Sequence, residues 1–182
     1  PLAGDHQLVL PSGKEAGGTY IMNATYVDRG TPKADPISTT ETKMLRSSVI
    51  SALDYDEMQD ATKMDIEPGQ IPGITEKITV LIGNHDSYLL FKEIDFAEIA
   101  SITATTQSNS DYMAGGKMSL ILDDLSSPAF GFADVDSKEH NEPEASTIPV
   151  NGIEGVHDLY VKFESEEPSK AAMVLTSLHF KR

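Results

Sequence analysis

The sequence contains no cysteine and no tryptophan. Without cysteine there can be no disulfide, no thiolate nucleophile and no Cys-ligated zinc. Without tryptophan, and with only 7% aromatic residues, the chain has few large rings to offer as stacking surfaces. Basic residues are also scarce: 14 against 29 acidic ones, for a net charge of -15. Such a chain repels phosphate backbones and anionic lipid, which argues against nucleic acid and membrane surfaces as partners. No apolar run approaches the roughly 20 residues of a membrane span. There is no HExxH and no EF-hand spacing. No signal peptide is legible and the first residue is Pro1, so the expectation is a fragment or a processed chain.

What is present is strand signal. The 182 residues suit one domain, or one domain with an extension. The stretch GVHDLYVKF, from Gly155 to Phe163, sets the pattern. His157, Leu159, Val161 and Phe163 fall on one face and Asp158, Tyr160 and Lys162 on the other, the period of a half-buried strand. KITVLIG, SYLLF, ASITATT, GGKMSLILD and AFGFA read the same way. Several short strands separated by turn residues predict an all-β sandwich. AAMVL, near the C-terminus, would also suit a helix, and Asp56 to Met64 reads as a short helix. Towards the N-terminus, Leu8 to Leu10 and Thr19 to Tyr26 flank PSGKEAGG and read as a β-hairpin with a long loop. Asp28 to Thr42 is rich in Pro, Thr and charge and reads as a linker. These signals divide the chain into a hairpin and linker, residues 1–43, and a sandwich, residues 44–182.

Four stretches, in this order, resemble a family 6-like carbohydrate-binding module. They are ISALDYDEM (Ile50 to Met58), GNHDSYLLFKEIDF (Gly83 to Phe96), GGKMSLILD (Gly115 to Asp123) and GVHDLYVKF. MVLTSLHF sits where the family has its closing strand. The resemblance implies a jelly-roll β-sandwich of the galactose-binding-domain-like kind, with the N-terminal β-hairpin as an extension. The segment TYIMNATYVDRG resembles the stretch that joins such modules to upstream domains in large secreted bacterial proteins. Those domains are of cytochrome c, ThuA-like or sugar-dehydrogenase type. The resemblance therefore implies a secreted or periplasmic location and upstream domains in the same polypeptide.

Two features of the family are missing. It often holds a structural calcium with carboxylates from the opening and closing strands, but Ser51, Leu53 and Thr176 stand at those positions. Calcium wants six to eight oxygens, several of them carboxylate, so no metal and no cofactor is expected there. Leu53, Val174 and Leu178 are expected to join the strands by apolar contact instead. The family also clamps a sugar between two loop aromatics. Neither Gln59 to Ile82 nor Asn141 to Gly155 contains an aromatic residue. Tyr112 and Tyr88 remain as stacking candidates, with His85, Asp86 and Asn109 as polar neighbours. Tyr112 lies in the turn-rich QSNSDYMAGG and is expected to be exposed, while Tyr88 also reads as a sheet-face or core ring.

Two acidic clusters read as solvated surface: Asp54, Asp56, Glu57 and Asp60, and the loop holding Asp134, Asp136, Glu139, His140, Glu142 and Glu144. His157 and Asp158 are adjacent on a strand and point to opposite faces, so they cannot converge on one substrate atom. His157 is expected to be a hydrogen-bonded structural residue. No spacing selects a catalytic carboxyl pair, and a hydrolase ranks last. The expectation is a non-catalytic, carbohydrate-binding-like accessory domain with a degenerate sugar site. A polysaccharide or oligosaccharide is its possible partner. The alternative is a structural or protein-interaction sandwich without sugar binding.

Overall fold

The computed structural model describes residues 19–31, 35–71, 73–139 and 142–182. Two antiparallel sheets face each other across one core. The first has five strands: β4 (Glu57–Gln59), β7 (Tyr88–Asp95), β9 (Gly115–Leu122), β10 (Gly131–Asp136) and β12 (Val156–Ser165), in the order β10-β9-β12-β7-β4. The second has six: β3 (Val49–Ser51), β5 (Thr62–Ile66), β6 (Ile78–Gly83), β8 (Ser101–Gln107), β11 (Glu144–Pro149) and β13 (Met173–Lys181). Their order is β11-β8-β13-β6-β5, with β3 also paired to β13. This is a jelly-roll β-sandwich.

Alternation along β12 explains its central place. Leu159, Val161 and Phe163 are fully buried, while Tyr160 and Lys162 between them are half-buried on the outer side. Leu89, Phe91, Met118 and Leu120 join them from the same sheet. Leu81, Ile102, Met173, Leu175, Leu178 and Phe180 meet them from the other. Gly83 makes room for this contact: a Cβ there would lie 2.4 Å from the Phe163 ring. Gly116, at φ +140, lets the β9 backbone pass close to Glu164 of β12, where a Cβ would stand 2.0 Å from the carbonyl oxygen.

Three sequence expectations change. Asp56 to Met64 is not helical but supplies β4 and the start of β5, and both strands find partners in β7 and β6. AAMVL, open between helix and strand, enters β13, where β8 and β6 fix it as sheet. The segment read as linker ends in a strand: β2 (Ser38–Arg46) pairs along its whole length with β1 (Thr19–Val27). β1 is thus paired with β2 on one edge, and β2 runs through residue 43. Leu8 to Leu10 lie outside the described residues. Asp28 closes the β1–β2 connection by accepting the amides of Gly30 (2.8 Å) and Ile37 (2.9 Å). Arg46 then ties β2 to the sandwich, donating to the Lys92 carbonyl and to the Asp56 carboxylate.

Ser51, Leu53 and Thr176 have structural settings of their own. The Ser51 hydroxyl accepts the Leu53 amide at 3.2 Å, and Leu53 packs against the core. Thr176 is exposed where β13 shifts register between Leu175 and Ser177. Leu178 is in the core as expected, but Val174 points the other way and packs with Ile82 and Met113. Residues of this kind do not fit a calcium site.

Candidate functional site

The connections of the sandwich open at two ends. The β6–β7, β8–β9, β10–β11 and β12–β13 connections lie at one end; the β7–β8, β9–β10 and β11–β12 connections lie at the other. All five sequence candidates fall at or near the first end. The aromatic-free residues 67–77 and 150–155, in the β5–β6 and β11–β12 connections, open towards the second.

The five candidates separate into two groups. Asn109 and Tyr112 belong to the β8–β9 connection. Asn109 Oδ1 accepts the Asp111 amide at 2.9 Å, and its carbonyl accepts the amides of Tyr112 (3.0 Å) and Met113 (2.7 Å). Its polar atoms are thus used to shape the turn. Tyr112 is 74% exposed, as expected from its loop. His85, Asp86 and Tyr88 belong to the β6–β7 turn and the start of β7. The Ser165 amide donates to His85 Nδ1 at 3.2 Å, leaving Nε2 3.5 Å from the Asp86 carboxylate. His85 is tied to Ser165 at the end of β12, while the loop of Asn109 and Tyr112 reaches the β12–β13 connection through the Ala114 amide, which donates to the Ala171 carbonyl. Among the described residues, no hydrogen bond or ring contact joins one group to the other.

Tyr88 has a different partner. It lies on the outer face of the five-stranded sheet, edge-on to Tyr160 with ring centroids 5.6 Å apart and planes at 65°. Register builds the surroundings. Tyr88 lies opposite Lys162 and Gln59, Lys162 opposite Ser119, and Ser119 opposite Phe132. In the next row Tyr160 lies between Leu90 and Ile121, with Glu57 beyond Leu90. Leu90 and Ile121 are buried although they face outward, and so form an apolar floor beneath the rings. Phe132 is 57% exposed and carries the Lys117 ammonium 4.9 Å from its ring centroid. It stands three strands from Tyr88, about 14 Å at the usual strand spacing.

Charge on this face is paired. Lys162 Nζ lies 3.0 Å from Asp86 and 3.6 Å from Glu164. The Lys162–Asp86 hydrogen bond holds the Asp86 carboxyl below its ordinary value and the lysine above its own. Lys92 pairs with Glu57. Burial pushes the Tyr160 phenol up, with the nearby Asp158, Glu57 and Asp124 carboxylates acting in the same direction. Tyr160 therefore stays neutral as a hydrogen-bond donor. Sequence reasoning placed Tyr160 and Lys162 on the outward series of β12 but did not make them candidates. The alternation was visible; the neighbours that make a platform come from four other strands.

The His157–Asp158 pair at the start of β12 is architecture. His157 Nδ1 lies 2.8 Å from Asp123 Oδ2, and Nε2 lies 3.0 Å from the Glu154 carbonyl. Both partners are acceptors, so the site favours the ring with a proton on each nitrogen. The Asp123 contact raises the affinity of His157 for its proton and lowers that of Asp123. The ring also meets Phe96 edge-on at 5.9 Å. Asp158, on the opposite face, has its own partner: its Oδ1 accepts the amide of Glu93, a residue at φ +54.

The acidic stretch from Asp134 to Glu144 is spread over two strands and their connection. Asp134 and Asp136 lie on β10, Glu144 opens β11, and Lys138 pairs with Glu144 at 2.8 Å. His140 lies outside the described residues. Among the described residues no group of three or more His, Asp or Glu side chains converges as a metal site.

No protein-family model and no curated protein matches the sequence. Solved structures do match the fold. A β-1,3-glucan-binding family 6 carbohydrate-binding module from Bacillus halodurans superposes with a TM-score of 0.60 at 18% identity, covering 74% of this chain and 95% of that one. A family 6 module from Clostridium cellulolyticum, solved with xylose, gives 0.57 at 18% identity, covering 74% and 96%. A family 43 arabinoxylan arabinofuranohydrolase from Bacillus subtilis, solved with cellotetraose, gives 0.59 at 17% identity, with 74% of this chain matching 27% of that larger one. The chain has the fold of family 6 carbohydrate-binding modules.

Proposed function

We propose that this protein is a non-catalytic, glycan-contacting module whose binding surface is the outer face of the five-stranded sheet. The carrying observation is the Tyr88–Tyr160 ring pair over the buried Leu90 and Ile121, with Phe132 across the face. A sugar ring needs an apolar surface for its C–H face and nearby polar groups for its hydroxyls. Gln59, Ser119 and Lys162 stand in the same row as Tyr88 and can supply the second need. Lys162 and Lys92 are already neutralised by Asp86, Glu164 and Glu57, and the chain carries a charge of -15. Both facts favour a neutral glycan over an acidic one.

The loop cleft is degenerate in this reading, because residues 67–77 and 150–155 lack aromatics. Affinity is therefore weak, in the millimolar range, or about -4 kcal/mol. The module serves as an accessory to upstream domains of a secreted or periplasmic protein. The same missing aromatics favour a second reading, a structural or protein-interaction sandwich that has lost sugar binding.

Titration calorimetry with neutral β-glucan and xylan oligosaccharides separates the two. Weak binding that falls about tenfold in Tyr160→Ala, or ~1.4 kcal/mol, supports the glycan reading. No heat with any oligosaccharide, or binding indifferent to both Tyr88→Ala and Tyr160→Ala, overturns it.

A further inference from the structure

We infer that the edge of β1 turned away from β2, which no described residue pairs with, pairs antiparallel with β1 of a second copy of this chain, about a two-fold axis through Asn23. The starting point is a sheet of only two strands among the described residues. β1 and β2 form a two-stranded ribbon, nine residues long on each strand. Such a ribbon is marginal in water and is normally completed by a third strand or a packed surface. Large apolar side chains stand out on both of its faces: Ile21 is 64% exposed and Val27 56% on one, Met22 52% and Tyr26 71% on the other.

The two edges of the ribbon differ. β2 carries Glu41, Lys43 and Arg46, and charged residues on an edge strand discourage pairing. β1, TYIMNATYV, carries no charge and no proline along its whole length. In a chain of net charge -15, an uncharged edge is where two copies can approach without like charges meeting.

The sequence of β1 also fits itself. Turned antiparallel about Asn23, it sets Ile21 against Thr25, Met22 against Ala24, and Asn23 against Asn23. Partners keep the same face, because a two-fold pairing couples residues an even number of positions apart. Met22 and Ala24 meet as large against small, and the two Asn23 amides can hydrogen-bond each other. On the same face Asn23 Oδ1 already accepts the Thr42 hydroxyl at 2.7 Å, and Thr25 bonds Thr40 at 3.0 Å. The result is a four-stranded sheet, β2-β1-β1-β2, in which neither β1 keeps a free edge.

The absence of cysteine makes the test direct. In the full chain, Asn23→Cys brings two thiols together at the axis, where paired Cα atoms lie about 4.5 to 5.5 Å apart, within disulfide reach. Ile21→Cys leaves its thiols four residues apart along the strand, about 13 Å, and out of reach. The expected result is a covalent dimer from Asn23→Cys under mild oxidation and none from Ile21→Cys. Sedimentation of the unmodified protein should show a dimer that strengthens with salt, as the net charges are screened. Asn23→Asp and Asn23→Lys should each weaken it, and mixing the two should restore a heterodimer. A monomer at all concentrations, with no cross-link from Asn23→Cys, overturns the inference; so does equal cross-linking at both positions. A monomer whose β1 edge amides resist hydrogen exchange would assign that edge to another segment of the same chain, and would equally overturn it.

Discussion

Each sheet of the sandwich turns one face to the shared core and the other outward, and the two outward faces differ in the rings they carry. On the five-stranded sheet, Tyr88, Tyr160 and Phe132 rise above buried Leu90 and Ile121, with lysines held by carboxylates around them. On the six-stranded sheet the corresponding positions over β8 and β11 are small and hydroxylated, while Val174 and Ile82 over β13 and β6 pack with Met113. Thr103 faces Thr147 with their hydroxyls 3.0 Å apart, and Thr105 faces Ala145 and Ser177. Both faces obey the same alternation and rest on the same core. Alternation therefore says which residues face outward, and side-chain size and chemistry say what an outward face can do. A hydroxylated face offers hydrogen bonds but little apolar area; a ring-bearing face over an apolar floor offers both.

The largest perturbation removes what the faces share. Phe163 is fully buried against Gly83, between the sheets. Phe163→Ala should cost about 3 to 5 kcal/mol, read as a lower urea midpoint. A midpoint near that of the parent would mean that β12 does not present this face to the core.

The next test separates the faces. Tyr160→Ala should weaken oligosaccharide binding about tenfold, or ~1.4 kcal/mol, whereas Thr105→Ala on the opposite sheet should leave it unchanged. Equal losses from both would erase the functional distinction.

A smaller effect belongs to one end of the five-stranded sheet. The folded protein raises the proton affinity of His157, chiefly through its hydrogen bond to Asp123. The stability from this contact is fully present below the unfolded value of about 6.5, and is lost as pH rises through the raised folded value. Asp123 shifts down, so its share is lost only at the acid end, as pH falls through its lowered value. Both groups are partly exposed, so the change between pH 6 and pH 9 should be under about 1 kcal/mol. Asp123→Asn should flatten it. A full pH dependence persisting in that variant would place its origin elsewhere.

The smallest expected effect lies on the six-stranded face. Thr103→Val removes one exposed hydroxyl pair and keeps the β-branched shape, so the midpoint should move by no more than about 0.5 kcal/mol. A loss above 2 kcal/mol would show that this face is covered in the working protein.

Much of this was legible in the chain. The period-two runs of β6 to β9 and of β12 identify strands because a half-buried strand has no other economical pattern. Where two patterns compete, the sequence alone failed. AAMVL is apolar throughout and could satisfy helix or strand; pairing with β8 and β6 decided it. Residues 56 to 64 and 38 to 46 are polar and short of strand formers, and they are strands because neighbouring backbones need partners. The candidate site divided in the same way. Tyr112 was correctly read as exposed from its turn-rich surroundings, but nothing local could say that Tyr88 meets Tyr160 rather than Tyr112.

By itself the sequence determined the exclusion of cysteine chemistry, the acidic surface, the all-β class, and which side of each regular strand carries its apolar residues. Those are consequences of composition and of a backbone that alternates its side chains. Only the tertiary structure decided which strands are neighbours and in what register. It thereby set Tyr88 beside Tyr160 and bound His157 to Asp123. These are contacts between residues 34 to 72 positions apart. Hydrogen bonds between backbones specify no residue type, so no local pattern can announce them.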